Sequence, residues 1–346
     1  MLYSKTYIES FGYELAPNVV TSDDLECRLE PLYNALHLQK GQLEALTGIK
    51  ERRFWDPGYK MSEGAICAAR KAIENSSISP ENIDMLIYCG ICKDYLEPAT
   101  ACAVCDGLEL SRKTQVYDIS NACLGVLNGM VQVANAIELG QIKAGLLVSC
   151  ESARQVIDMT IHHLNETKDM TFFKNTIATL TGGSGAVAVL LSDEPLSGGS
   201  HRLIGGVLKN ATQHHRLCTW GLNAGICEPE THLIETESVG VLQNGVMLGS
   251  ETFKDFKKEL MWSDDRPDKI ICHQVGATHQ KNILKAIGIP TDKDFTTFKY
   301  LGNIGSVSLP ITAAIASERE FLRPDDWVGF LGIGSGLNCL MMGIKW

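Results

Sequence analysis

The chain has 346 residues, of which 45% are hydrophobic and 21% charged, and a formal net charge of −10. That length can bury two cores, the composition is ordinary for a globular protein, and the acidic balance argues against a nucleic-acid binder. No apolar run reaches the roughly 18 residues of a membrane-spanning helix.

In chain order, Met1–Ser10 reads as a first strand rather than a signal peptide, so a reducing, cytoplasmic compartment is expected. The twelve cysteines are then expected to be free thiols. The apolar segment Asp84–Cys89 reads as a strand leading into Gly90, and 99–105 reads as a helix. The Cys-x-x-Cys pairs Cys89/Cys92 and Cys102/Cys105 have zinc-like spacing. A strand end and a helix are poor zinc knuckles, so structural cysteines are the better reading and no metal is expected. A strand over 115–120, a small-residue turn, a helix from about Leu124 to Leu139 and a strand over 144–150 follow. The apolar strand 186–192 closes this portion, and the polar turn Asp193–Ser200 marks a boundary. Strands and helices alternate throughout, which predicts an α/β fold.

The second portion repeats the first. A strand over 268–272 leads into His273 and a helix over 279–287. A strand Phe295–Lys299, the turn Gly302-Asn303-Ile304-Gly305, a helix over 308–321 and a strand over 327–332 complete it. Two pseudo-equivalent halves are expected, residues 1–193 and 200–346, with Cys123 and Asn303 on equivalent turns. The polar stretch Asn210–Gly240 lacks periodicity and reads as a lid or substrate-facing loop.

Cys123 follows a predicted strand and precedes a buried helix, whose positive N-terminal dipole would favour a thiolate. A packed structural cysteine is the alternative. His273 stands at the C-terminal edge of a strand, where α/β folds bind ligands; from the residue alone a hydrogen-bonded structural histidine is the commoner reading. Asn303 lies between glycines and would also suit a plain turn. The Gly-rich segment Leu331–Leu337 can present backbone N–H groups to an oxyanion. A nucleophile, a neutral donor pair and an oxyanion hole together suit acyl transfer through a thioester.

On Thr47–Arg53, Ser120–Cys123, His273-Gln274, Gly302-Asn303 and Gly334–Gly336, the chain resembles the thiolase superfamily, in its ketoacyl synthase III-like branch. It departs from the fatty-acid initiating synthases in Val275-Gly276, in a Gly-Ser-Gly loop, and in Gln42 and Leu46, where those enzymes place a CoA-clamping Trp and Arg. Tyr95–Ala101, Ser120–Asn135, His214–Cys218 and Gly332–Cys339 are more similar to the OleA group, which joins two acyl-CoAs head to head.

The resemblance implies a layered αβαβα thiolase fold and a homodimer. It implies a non-decarboxylative Claisen condensation of two fatty acyl-CoAs to a 2-alkyl-3-oxo acid for lipid or hydrocarbon biosynthesis, with downstream pathway enzymes and no bound cofactor. In it Cys123 is acylated, and the N–H groups of Cys123 and Ser335 form the oxyanion hole. His273 and Asn303 hold the enolate, and Glu97 enters the partner subunit's site as base. From the residues alone Glu97 is equally a solvated loop carboxylate. An acyl-CoA must lose an α-proton and so needs a base, whereas a malonyl thioester loses carbon dioxide. The malonyl-using synthase, a hydroxymethylglutaryl-CoA synthase-like enzyme and a non-catalytic partner subunit stay open as alternatives. Lys50, Arg52, Arg53, Lys209 and Arg216 are candidate CoA-phosphate contacts.

Overall fold

The computed structural model describes residues 1–197, 201–221 and 233–346. One nine-stranded sheet organises them. From one edge it runs Gln115–Asp118, Met85–Tyr88, Ala144–Glu151, Gly185–Asp193 and Thr6–Leu15. From the other edge it runs Lys269–Cys272, Trp327–Gly334, Asn338–Lys345 and His201–Asn210. Apart from the edge strand Gln115–Asp118, which has no counterpart in the second run, the two runs use their strands in the same order. They meet through Tyr7 opposite Arg202 and Ile8 opposite His201, an antiparallel contact of two residue pairs.

The burial of each element follows its sequence. Ala144–Glu151 is an unbroken apolar run up to its last residues, and every position is buried, as in a strand covered on both faces. Thr6–Leu15 alternates through most of its length between buried and half-buried positions. Helices Gly125–Glu138 and Ser308–Glu318 contribute to one core with residues from strands of both runs. Ser308–Glu318 is apolar nearly all round and buried from Ser308 to Ala316, as a helix between layers must be. Helix Met61–Glu74 packs on the outer face of the first run, and Ser238–Glu259 on that of the second. The layers therefore succeed one another as helix, sheet, helix, sheet, helix.

The predicted strand Phe295–Lys299 does not form. Asp294 makes a single parallel bridge to Ile270, and the chain then turns into the short helix Phe298–Leu301. Side chains take the donors that a ladder would have used. The Asp294 carboxylate accepts from the Cys272 N–H at 3.2 Å. The Gln274 carbonyl oxygen accepts from the N–H groups of Thr297 at 2.9 Å and Phe298 at 3.2 Å. The described residues of the stretch Asn210–Gly240 are not plain loop. They include the hairpin strands Cys218–Gly221 and Leu233–Thr236, then enter helix Ser238–Glu259. Residues 198–200 of the expected boundary, and 222–232 of the expected lid, lie outside the described residues.

Among the described residues, no helix is long and apolar enough to cross a membrane. Cys89 is buried in a core, while Cys102 and Cys105 sit on helix Thr100–Gly107.

Candidate active site

The parallel strands of both runs end at one cavity of about 420 Å³. Cys123, His273, Asn303 and Ser335 all line it. Its remaining wall is largely apolar, with Val156, Ile234, Val241 and Ile333 among the lining residues. Such a cavity suits a largely apolar ligand with a few directing polar groups.

Cys123 is presented by a sharp turn. Ala122 has φ 46°, a left-handed conformation costing a non-glycine residue about 1 kcal/mol. Leu124 and Gly125 close the turn by donating to the carbonyls of Asn121 and Ala122. Helix Gly125–Glu138 then begins with Leu124 as its N-cap. A Cβ on Gly125 would lie 1.9 Å from the Cys89 carbonyl oxygen, so the helix starts flush against the end of a neighbouring strand. Asn121 fixes the turn from both sides. It donates to Asn128 at 2.7 Å and accepts from Asn338 at 3.3 Å.

The thiol is not poised as the helix terminus alone would suggest. Burial pushes Cys123 up to about 12, and the neighbouring Cys218 and Glu151 add to the shift. Loss of water outweighs the roughly half charge of a helix end. The exposed part of this sulfur's residue faces the cavity.

His273 is held by its backbone N–H on the Leu331 carbonyl, at 3.0 Å. Burial, and then His279, push its imidazole down to about 3. It is therefore a neutral ring with one N–H available to donate rather than a cation. Asn303 is fixed by backbone on both sides. Its N–H donates to Thr181 and its carbonyl accepts from Gly183. Its side-chain oxygen accepts from the Gly305 N–H at 3.1 Å, which leaves the amide NH₂ to donate. The Gly-rich turn lies against the nucleophile: a Cβ on Gly334 would stand 3.4 Å from the Cys123 nitrogen.

Glu97 is elsewhere. It is exposed on the segment after strand Met85–Tyr88 and does not line the cavity of its own chain. Arg52, named from sequence as a phosphate contact, is buried and spends its guanidinium on Ser22 Oγ and the Leu180 carbonyl, each at 3.1 Å. Lys209 is paired with Asp255 at 2.5 Å, and Arg53 donates to the Ala16 carbonyl. Lys50 and Arg216 remain exposed.

Two titratable groups of the cavity escaped the sequence reading. His279 lines it from the first turn of helix Ala277–Ile287, and burial pushes it down to about 4. Glu151 is the last residue of strand Ala144–Glu151, one position beyond the predicted end. Burial raises its carboxyl, while hydrogen bonds from Ser306, Ile91 and Cys92 oppose that shift.

Comparison with known proteins places the chain in a family. Residues 117–210 match the family model of 3-oxoacyl-[acyl-carrier-protein (ACP)] synthase III, and 258–346 match its C-terminal model. An acyl-CoA:acyl-CoA alkyltransferase of Shewanella oneidensis is 51% identical over 100% of both chains. One of Xanthomonas campestris is 35% identical, also over 100% of both. A solved structure of Xanthomonas campestris OleA, with bound lauric acid and lauroyl-CoA, superposes with a TM-score of 0.93 at 34% identity, covering 100% of each chain. The chain is thus an enzyme of the thiolase fold and belongs to the acyl-CoA:acyl-CoA alkyltransferase (OleA) family.

Proposed function

We propose that the protein condenses two fatty acyl-CoAs head to head, without loss of carbon dioxide, through an acyl-Cys123 intermediate. The observation that carries this reading is that one largely apolar cavity holds Cys123, a neutral His273, a donor-oriented Asn303 and the Gly334-Ser335 turn together.

The Cys123 sulfur attacks the first thioester carbonyl, the C–S bond to CoA breaks, and CoA leaves with the thiol proton. The N–H groups of Cys123 and Ser335 hold the oxyanion. The carbonyl of a second acyl-CoA accepts hydrogen bonds from His273 and Asn303, which stabilise an enolate. Glu97 of the partner subunit takes the α-proton. The carbanion attacks the acyl-Cys123 carbonyl, a C–C bond forms, and the cysteine leaves, regaining a proton. The product is a 2-alkyl-3-oxoacyl-CoA, and hydrolysis of its thioester gives the β-keto acid. No bound cofactor takes part.

Two observations support Glu97 as the base, and the first of them its action in trans. Glu97 is exposed and outside its own cavity. In Xanthomonas campestris OleA, variants at a cysteine, a glutamate and a histidine have been solved, and that glutamate precedes that cysteine by the same interval as Glu97 precedes Cys123. The homodimer would form along the outer strand Gln115–Asp118, whose free edge offers unpaired backbone groups beside the exposed Tyr117. Residues 1–193 and 200–346 act as the two halves of one catalytic unit. The enzyme works in the cytoplasm, ahead of enzymes that process the β-keto acid.

The test is incubation with myristoyl-CoA alone, followed by intact mass and analysis of the organic extract. An adduct lost in Cys123→Ser, together with a β-keto acid or its decarboxylated ketone, is expected. An adduct with no condensed product until a malonyl thioester is added would overturn the proposal.

A further inference from the structure

Glu151 is a buried carboxylate that the proposed chemistry does not use. It lines the cavity with Cys123 and accepts hydrogen bonds from the Ile91 N–H at 2.9 Å, the Cys92 N–H at 3.1 Å and the Ser306 hydroxyl. Ser306 is in turn bonded to Ser149 at 2.8 Å. A buried carboxylate is tolerated only with such partners, and bonds to a charged acceptor are the stronger ones. Ile91 and Cys92 are the root of the segment whose tip carries Glu97.

The rest of that segment is tied down near both ends. Tyr88 donates to the Cys92 carbonyl at 2.6 Å. Lys93 pairs with Asp118 at 3.2 Å, and Asp94 accepts from the Ser62 N–H at 3.1 Å. At the far end, Asp118 accepts from the N–H groups of Thr100 and Ala101. Beyond these ties Tyr95, Leu96, Glu97 and Pro98 stand exposed. The root of the segment therefore reaches the cavity through Ile91, while its tip is exposed and outside the cavity.

The geometry points to Glu151 as a positioning residue for Glu97, and hence as a residue that serves the partner subunit's active site from within its own. This rests on the assignment of Glu97 as a base in trans. A glutamine has one acceptor oxygen, so at this position it would set its NH₂ against one of the two backbone N–H groups whichever way it turned. The root would shift, and Glu97 with it. A base displaced by about 1 Å loses roughly 100-fold in rate.

The test uses heterodimers purified through two tags. One chain carries Cys123→Ala and donates Glu97; the other carries Glu97→Ala and donates Cys123. Only one site per dimer is then complete. Glu151→Gln is added to either chain, and both condensation and acylation of Cys123 are measured. The expected result is a larger loss of condensation, roughly 10- to 100-fold, when Glu151→Gln sits on the chain donating Glu97, with acylation of Cys123 on the other chain unchanged. An equal or larger loss when it sits on the chain donating Cys123 overturns the inference. Should the glutamine chain not assemble, Glu151→Asp, which keeps both acceptor oxygens but withdraws them by one methylene from the Ile91 and Cys92 N–H groups, is run in the same two placements under the same criterion. If the pair without any Glu151 substitution fails to condense, the assignment of Glu97 in trans is itself overturned, an outcome separate from the effect of Glu151.

Discussion

Burial acts on Cys123 and His273 in opposite directions and leaves both uncharged near neutral pH. Because the thiol is pushed up to about 12, alkylation of Cys123 by iodoacetamide is expected to rise by roughly tenfold per pH unit up to pH 10. A plateau near the ordinary thiol value of about 8.5 would contradict this. Glu97→Ala is expected to lower condensation by roughly 10²- to 10⁴-fold, the usual worth of a general base, while acylation of Cys123 persists. Retained condensation would refute its role. At this scale the convergence of Cys123, His273 and Asn303 on one cavity was legible because the first two follow apolar strands and the third stands between glycines in a turn. Glu151 was not, since a carboxylate after an apolar strand looks like the first solvated residue. Only the three donors gathered around it from distant segments make it a buried one. Arg52 failed in the opposite way: a cation in a polar segment reads as surface, yet its partners are Ser22 and the Leu180 carbonyl.

The elements around the site are held by close backbone approach. Gly125→Ala would place a methyl 1.9 Å from the Cys89 carbonyl oxygen, which is backbone and cannot step aside. It is expected to destabilise the protein by about 1–3 kcal/mol or more in urea unfolding, the usual cost of overpacking. Gly334→Ala meets the Leu124 side chain at 3.2 Å and the Cys123 nitrogen at 3.4 Å. It is the milder change for stability, and its larger effect is expected on acylation rate, because it wedges the Gly-rich turn away from the Cys123 N–H. Equal acylation by Gly334→Ala and the parent protein would argue against an oxyanion hole there. The order of the predicted strands and helices was readable from apolar runs and turn residues, while the helices of 22–74 and 154–176 were not proposed. The exception, Phe295–Lys299, has strand-like composition, and its backbone donors are claimed by the side chain of Gln274, which no local pattern reveals.

For the whole molecule, buried histidines set an acid limit. His273 and His279 are pushed down to about 3 and about 4, below the ordinary value near 6.5, so the unfolded chain binds protons that the folded one refuses. Their contribution to stability is complete above pH 6.5 and is lost as pH falls toward 4. Each costs about 1.4 kcal/mol per pH unit over that window. His279→Gln is expected to flatten the decline of Tm between pH 6.5 and 4.5; an unchanged slope would contradict the burial argument. Dimer formation along Gln115–Asp118 makes a separate prediction. Tyr117→Lys is expected to shift sedimentation toward monomer on dilution and to lower condensation in parallel. A dimer that withstands the change would place the interface elsewhere.

The contact between Gly334 and Cys123 also bears on how the protein is made. The cysteine belongs to the earlier part of the chain, and the turn that backs it belongs to a strand near the end. During synthesis, the nucleophile leaves the ribosome long before residues 327–337 exist to wall in its cavity. A half-made chain therefore carries the thiol without the enclosure that would hold an acyl thioester. The turn proposed to hold the oxyanion arrives only with the final strands, so a half-made chain carries a less buried thiol without the donors that would stabilise its acylation.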